Sequence, residues 1–150
     1  MGQIKYPIGI QTFSEIRECG YVYVDKTEYL HKLIVSGSKY AFLSRPRRFG
    51  KSLFLSMIEE FFKGNRELFE GLAISGYDYD WQPRPVIHFD FSGCPVDSED
   101  SMIAHLNYSL AQYERTYNIN TDASIPIGVR FREIINQAHE QTGQQVVNSY

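Results

Sequence analysis

A chain of 150 residues, 43% hydrophobic and 22% charged, can bury a core within one domain and is too apolar to stay disordered. Its formal net charge of −3 excludes the overall basic excess of a typical nucleic-acid binder, and no apolar run approaches the roughly 18 residues of a membrane span. Two distant cysteines, Cys19 and Cys94, make neither a disulfide framework nor a zinc site, and Met1–Lys5 has no apolar signal region, so a reduced, cytoplasmic setting is expected.

Pro7 and Gly9 break any early element. Tyr21-Val22-Tyr23-Val24 is a short β-prone run. Asp25 is placed to cap a helix, with Glu28 three residues on as in a capping box. That helix runs from Lys26 to about Val35, with Tyr29, Leu30, Leu33 and Ile34 on one face, and Gly37 stops it. Lys39 to Ser44 reads as a short buried strand, and Arg45 to Gly50 as a turn. Ser52 to Phe62 is helical, with Leu53, Phe54, Met57, Ile58, Phe61 and Phe62 at helical spacing.

A short amphipathic piece follows at 66–72, then a loop over 75–85 that holds Trp81. Pro85 to Phe91 is the next strand. A helix begins at Asp97 or Ser98 and ends near Tyr117, and another spans about Ile127 to Gln141, stopped by Gly143. Gln144-Gln145-Val146-Val147 starts a further strand. Strands alternating with helices indicate an α/β fold with a largely parallel sheet.

The strongest chemical signal lies between the strand at 39–44 and the helix at 52–62. A phosphate-binding loop needs backbone N–H groups converging on an anion, ahead of a helix whose dipole favours negative charge. Gly50 permits close backbone approach, Lys51 reaches the β and γ phosphates, and the Ser52 hydroxyl meets Mg²⁺. The strict G-x-x-x-x-G-K-[ST] pattern is not met, because Arg45 fills its first glycine position. Arg45, Arg47 and Arg48 read either as a solvated turn, as extra phosphate contacts, or as a surface for nucleic-acid backbone or a partner protein. The four histidines are dispersed without metal spacing, and no other catalytic motif is present.

Two strings, Tyr21-Val22-Tyr23-Val24-Asp25-Lys26-Thr27 and Phe42 to Leu53 with Arg-Pro-Arg-Arg-Phe-Gly-Lys-Ser inside it, resemble the opening of the bacterial AAA-ATPase-like proteins. The likeness continues through Leu68-Phe69-Glu70-Gly71-Leu72, His88-Phe89-Asp90-Phe91-Ser92 and Thr142 to Val147. In that family arginine at the first loop position is usual. The resemblance implies a P-loop NTPase-like three-layer sandwich that binds ATP with Mg²⁺. The nucleotide site would comprise Arg45, Pro46, Arg47, Arg48, Phe49, Gly50, Lys51, Ser52 and Leu53. It also implies a longer parent protein, often with a restriction-nuclease-like C-terminal domain through which nucleic acid could be a partner.

A P-loop ATPase also needs an acidic residue at another strand end to hold the Mg²⁺ shell. In the family this follows the strand that begins here at Gln144, whereas this chain reads Asn148-Ser149-Tyr150. Residues 1–150 are therefore expected to be the N-terminal portion of the domain, truncated before that strand end, with hydrolysis left to the longer protein. Asp90 stands at a strand end, but the resemblance gives it no metal role, and a cap or turn role is the expectation. The alternative readings are a nucleic-acid or protein-interaction module built on the arginine turn, or a non-functional remnant.

Overall fold

The computed structural model describes residues 4–44, 46, 49–92, 94 and 98–149. They fall into two units, one ending at Pro83 and one beginning at Arg84.

In the first unit, α1 (Phe13–Glu18), α2 (Thr27–Val35) and α3 (Lys51–Phe62) are followed by two 3₁₀ turns, Arg66–Phe69 and Ala73–Gly76. The spacing of Phe54, Met57, Ile58 and Phe61 puts them on one face of α3, and all four are buried. They pack with Phe13, Leu30, Phe69, Leu72 and Ile74. Aromatic edges close this core: the Phe61 ring centroid lies 4.8 Å from that of Trp81, and Phe13 lies 4.9 Å from Phe69. Burial pushes the Tyr23 phenol up to about 12, and its hydroxyl meets Met57 Sδ at 3.2 Å. Gly64 turns the chain out of α3 at φ 81°, and a Cβ there would come within 2.8 Å of the Trp81 carbonyl oxygen.

In the second unit, β1 (Val86–His88) pairs in parallel with β2 (Val147–Ser149), in the register Val86–Val147, Ile87–Asn148 and His88–Ser149. Helices α4 (Glu99–Thr116) and α5 (Ile127–Thr142) lie between these strands in the chain, as a parallel crossover requires. Ile87, Phe89, Leu110 and Ile134 form the buried centre.

The α/β reading holds at this coarse level: helices mix with one small parallel sheet. A full three-layer sandwich is not present among the described residues, whose sheet has two strands. The run at 39–44, expected to be a buried strand, has no ladder partner among the described residues. Tyr40 is 90% and Phe42 93% exposed there, while Leu43 packs on the core. β-prone residues make an extended segment, but only a second backbone makes it a strand. Likewise 21–24 contributes one bridge, Tyr21 to Lys5. The last ladder starts at Val147 rather than Gln144.

Candidate functional site

The sequence-predicted loop leads into α3. Arg45, Arg47 and Arg48 lie outside the described residues. Pro46 is exposed, and its carbonyl accepts the Phe49 N–H at 3.4 Å. Phe49 is also exposed. Gly50 occupies the left-handed region at φ 74°, ψ 29°, immediately before the helix. That conformation costs an L-residue roughly 1–2 kcal/mol and glycine almost nothing, which is a physical reason for glycine there. The Gly50 carbonyl accepts the Phe54 N–H at 3.0 Å, the first bond of the helix.

The next residues carry the predicted chemistry. Lys51 and Ser52 are the first two residues of α3 and both are exposed. Among the described residues no side chain caps this helix end, and no acidic residue stands in its first turn. The amides of the first turn and the positive end of the helix dipole are thus left for an external acceptor. Leu53 is half-buried and packs against the core, anchoring the helix rather than facing outward.

Lys26 was missed as a functional candidate, having been read as the first residue of a helix. The fold brings it beside the loop: a Cβ built on Gly50 would lie 3.9 Å from the Lys26 ammonium nitrogen. Lys26 is half-buried and precedes α2. The signal that could have found it is its place in the Tyr21–Thr27 string.

Asp25 is not the helix cap expected of it: Lys26 is the N-cap position of α2 and makes no side-chain cap bond. Asp25 stands one residue outside, where its Oδ1 accepts the Thr27 N–H at 2.8 Å and the Thr27 hydroxyl at 2.7 Å. Its Oδ2 accepts the Ala73 N–H at 2.7 Å instead of serving a reciprocal box with Glu28. Burial works to raise the Asp25 pKa, but these bonds and the Arg17 charge outweigh it and hold the carboxyl below its ordinary value.

Asp90 is a turn residue. Its Oδ1 accepts the Ser92 N–H at 2.8 Å, and bonds from the Ser92 hydroxyl and N–H keep its carboxyl below the usual value. It borders a shallow groove lined by His88, His105, Tyr108 and Tyr113. The polar atoms there are turned to protein: His105 Nε2 lies 2.7 Å from the Asp90 carbonyl, His88 Nδ1 lies 2.8 Å from Ser149 Oγ, and the Tyr113 hydroxyl bonds both backbone groups of His88. Among the described residues no group of three or more His, Cys, Asp or Glu could hold a metal ion. The loop end brings the first-turn amides of α3 and the exposed Lys51 together. Among the described residues of this helix end, Ser52 carries the hydroxyl that could meet a metal ion, and a hard cation such as Mg²⁺ would take the rest of its shell from other oxygens. No helix among the described residues is long and apolar enough to cross a membrane.

Comparison with known proteins gives the same direction as the motif. A family model described as predicted AAA-ATPase matches residues 7–148. A protein of Azotobacter chroococcum mcd 1, described as an uncharacterized protein in the vnfD 5′ region, is 43% identical over 149 residues. That match takes in 98% of this chain and 28% of the Azotobacter protein, so the chain spans under a third of that relative's length. No solved structure matches.

Proposed function

The chain belongs to the AAA-ATPase-like family, and on that premise we propose that it binds ATP as its magnesium complex through the segment from Arg45 to Leu53. The observation that carries this reading is the left-handed Gly50 set against an uncapped helix that opens with exposed Lys51 and Ser52. The unpaired first-turn amides of a helix point beyond its N-terminus, and the dipole there favours an anion. In this reading Lys51 neutralises the β and γ phosphates, and Ser52 supplies one oxygen to Mg²⁺. Phe49 and Gly50 shape the loop, Pro46 turns the chain into it, and Arg45, Arg47 and Arg48 add charge around the phosphates. The chain thus supplies the N-terminal, phosphate-binding portion of a P-loop domain. Hydrolysis is proposed for the longer parent protein, where an acidic strand-end residue completes the metal shell.

Calorimetric titration with Mg-ATP tests the reading, with Lys51→Ala as the control. Binding that the variant weakens at least tenfold supports it. Equal affinity of the two proteins removes Lys51 from the site, and no binding by either removes the proposal.

A further inference from the structure

We propose that the Lys26 ammonium is a second phosphate-binding cation, acting with Lys51 on the polyphosphate chain; this rests on the nucleotide-binding reading above.

The first ground is position. The Lys26 nitrogen would stand 3.9 Å from a Cβ on Gly50, so it lies beside the residue just before α3. Lys26 comes from another part of the chain, at the start of α2. Two segments far apart in sequence therefore deliver lysines to one helix end.

The second ground is charge. The positive end of α3 repels cations, and Lys51 already stands there. No acidic residue offsets them in the first turn of α3, and among the described residues Lys26 has no carboxylate within ion-pair distance. An anion between the two lysines turns that repulsion into attraction.

The third ground is how Lys26 is held. Both neighbours are fastened to the body of the first unit. Asp25 accepts the Ala73 N–H, and the Thr27 hydroxyl accepts the Ile74 N–H at 3.1 Å with Thr27 fully buried. The backbone at residue 26 is thereby set by bonds to the second 3₁₀ turn. A side chain launched from a fixed backbone reaches its target with less ordering to do on binding.

The ligand this arrangement suits is a polyphosphate. A ligand that engages both Lys26 and Lys51 needs more than one anionic group, which a triphosphate offers and a nucleoside does not. The contribution of Lys26 should thus grow with the number of phosphates.

The test titrates the full chain with ATP, inorganic tripolyphosphate and adenosine, in wild type, Lys26→Ala, Lys26→Arg and Lys51→Ala, with thermal melts of each. The expected result is an affinity loss of about tenfold for ATP and tripolyphosphate in Lys26→Ala, substantial recovery in Lys26→Arg, and unchanged melting. An Lys26→Ala protein that binds ATP as well as wild type, while Lys51→Ala does not, overturns the role of Lys26 and leaves the nucleotide site standing. Equal losses in Lys26→Ala and Lys26→Arg with lowered melting assign Lys26 to folding and overturn it too. A wild-type chain that binds neither ATP nor tripolyphosphate removes both proposals.

Discussion

Arg130 and Glu114 meet through two parallel hydrogen bonds, Nε to Oε1 at 2.7 Å and Nη2 to Oε2 at 2.9 Å, with both side chains buried. The remaining arm of the guanidinium donates from Nη1 to Asn107 Oδ1 at 2.6 Å. The pair fastens α5 to α4. It is planar and bidentate, a geometry arginine can make and lysine cannot.

Removing one partner leaves the other charge buried without compensation. Glu114→Ala or Arg130→Met alone should therefore cost about 3–5 kcal/mol of stability. Replacing both by apolar residues, Glu114→Leu with Arg130→Met, should cost much less, because no charge is then stranded. Urea titrations of the two single variants and the double variant measure the difference. Equal losses in all three would mean the pair contributes through packing alone.

Acid should find the same pair. The Arg130 bonds hold the Glu114 carboxyl below its ordinary 4.5, against burial, with a smaller contribution from Thr121. A carboxylate whose pKa is lower folded than unfolded stabilises the fold above its unfolded value. That stability is lost as pH falls through the folded value. Asp25 is displaced in the same direction from 3.8. Stability measured from pH 7 downward should stay level to about pH 5 and then fall steeply below about pH 4. A curve that falls instead between pH 7 and 5 would implicate histidine.

Asp25→Ala should loosen the first unit by about 1–2 kcal/mol. The carboxylate joins Thr27 to Ala73, so both the start of α2 and the second 3₁₀ turn lose a partner. Hydrogen exchange should quicken at the Ala73 amide beyond any change in α3. Loss of protection spread evenly over the unit would deny the clasp a local role.

Two glycines should respond differently to alanine. At Gly50, among the described residues, a Cβ meets the Lys26 nitrogen alone, at ordinary contact distance, so Gly50→Ala carries backbone strain of about 1–2 kcal/mol. At Gly64 the same strain is joined by a 2.8 Å clash with the Trp81 carbonyl, so Gly64→Ala should lose more. Paired denaturant melts rank them, and the reverse order would mean that the turn after α3 can relax.

The helices were legible because their signals are local. Core spacing in α3, the serine ahead of α4 and the glycine after α5 all act within a few residues. Ser98 Oγ does accept the Ser101 N–H at 3.2 Å, and Gly143 does turn left-handed at φ 67°. The strand expected at 39–44 failed for the opposite reason, since a ladder depends on a second segment that the run itself does not encode. Arg130 and Glu114 gave no warning either. In sequence they are two charged residues on helices that are polar over most of their surface.

By itself the sequence determined the α/β pattern, the family, and a Gly-Lys-Ser turn at the head of an apolar-faced helix, because all three are written in contiguous residues. Tertiary structure alone decided that Lys26 comes to rest beside Gly50 and that Asp25 binds Ala73 while Thr27 binds Ile74. It also decided that Tyr40 and Phe42 face solvent. Each of these joins or separates residues that are distant in the chain. Their meeting depends on how the aromatic core of the first unit packs and which backbone groups it leaves to be paired.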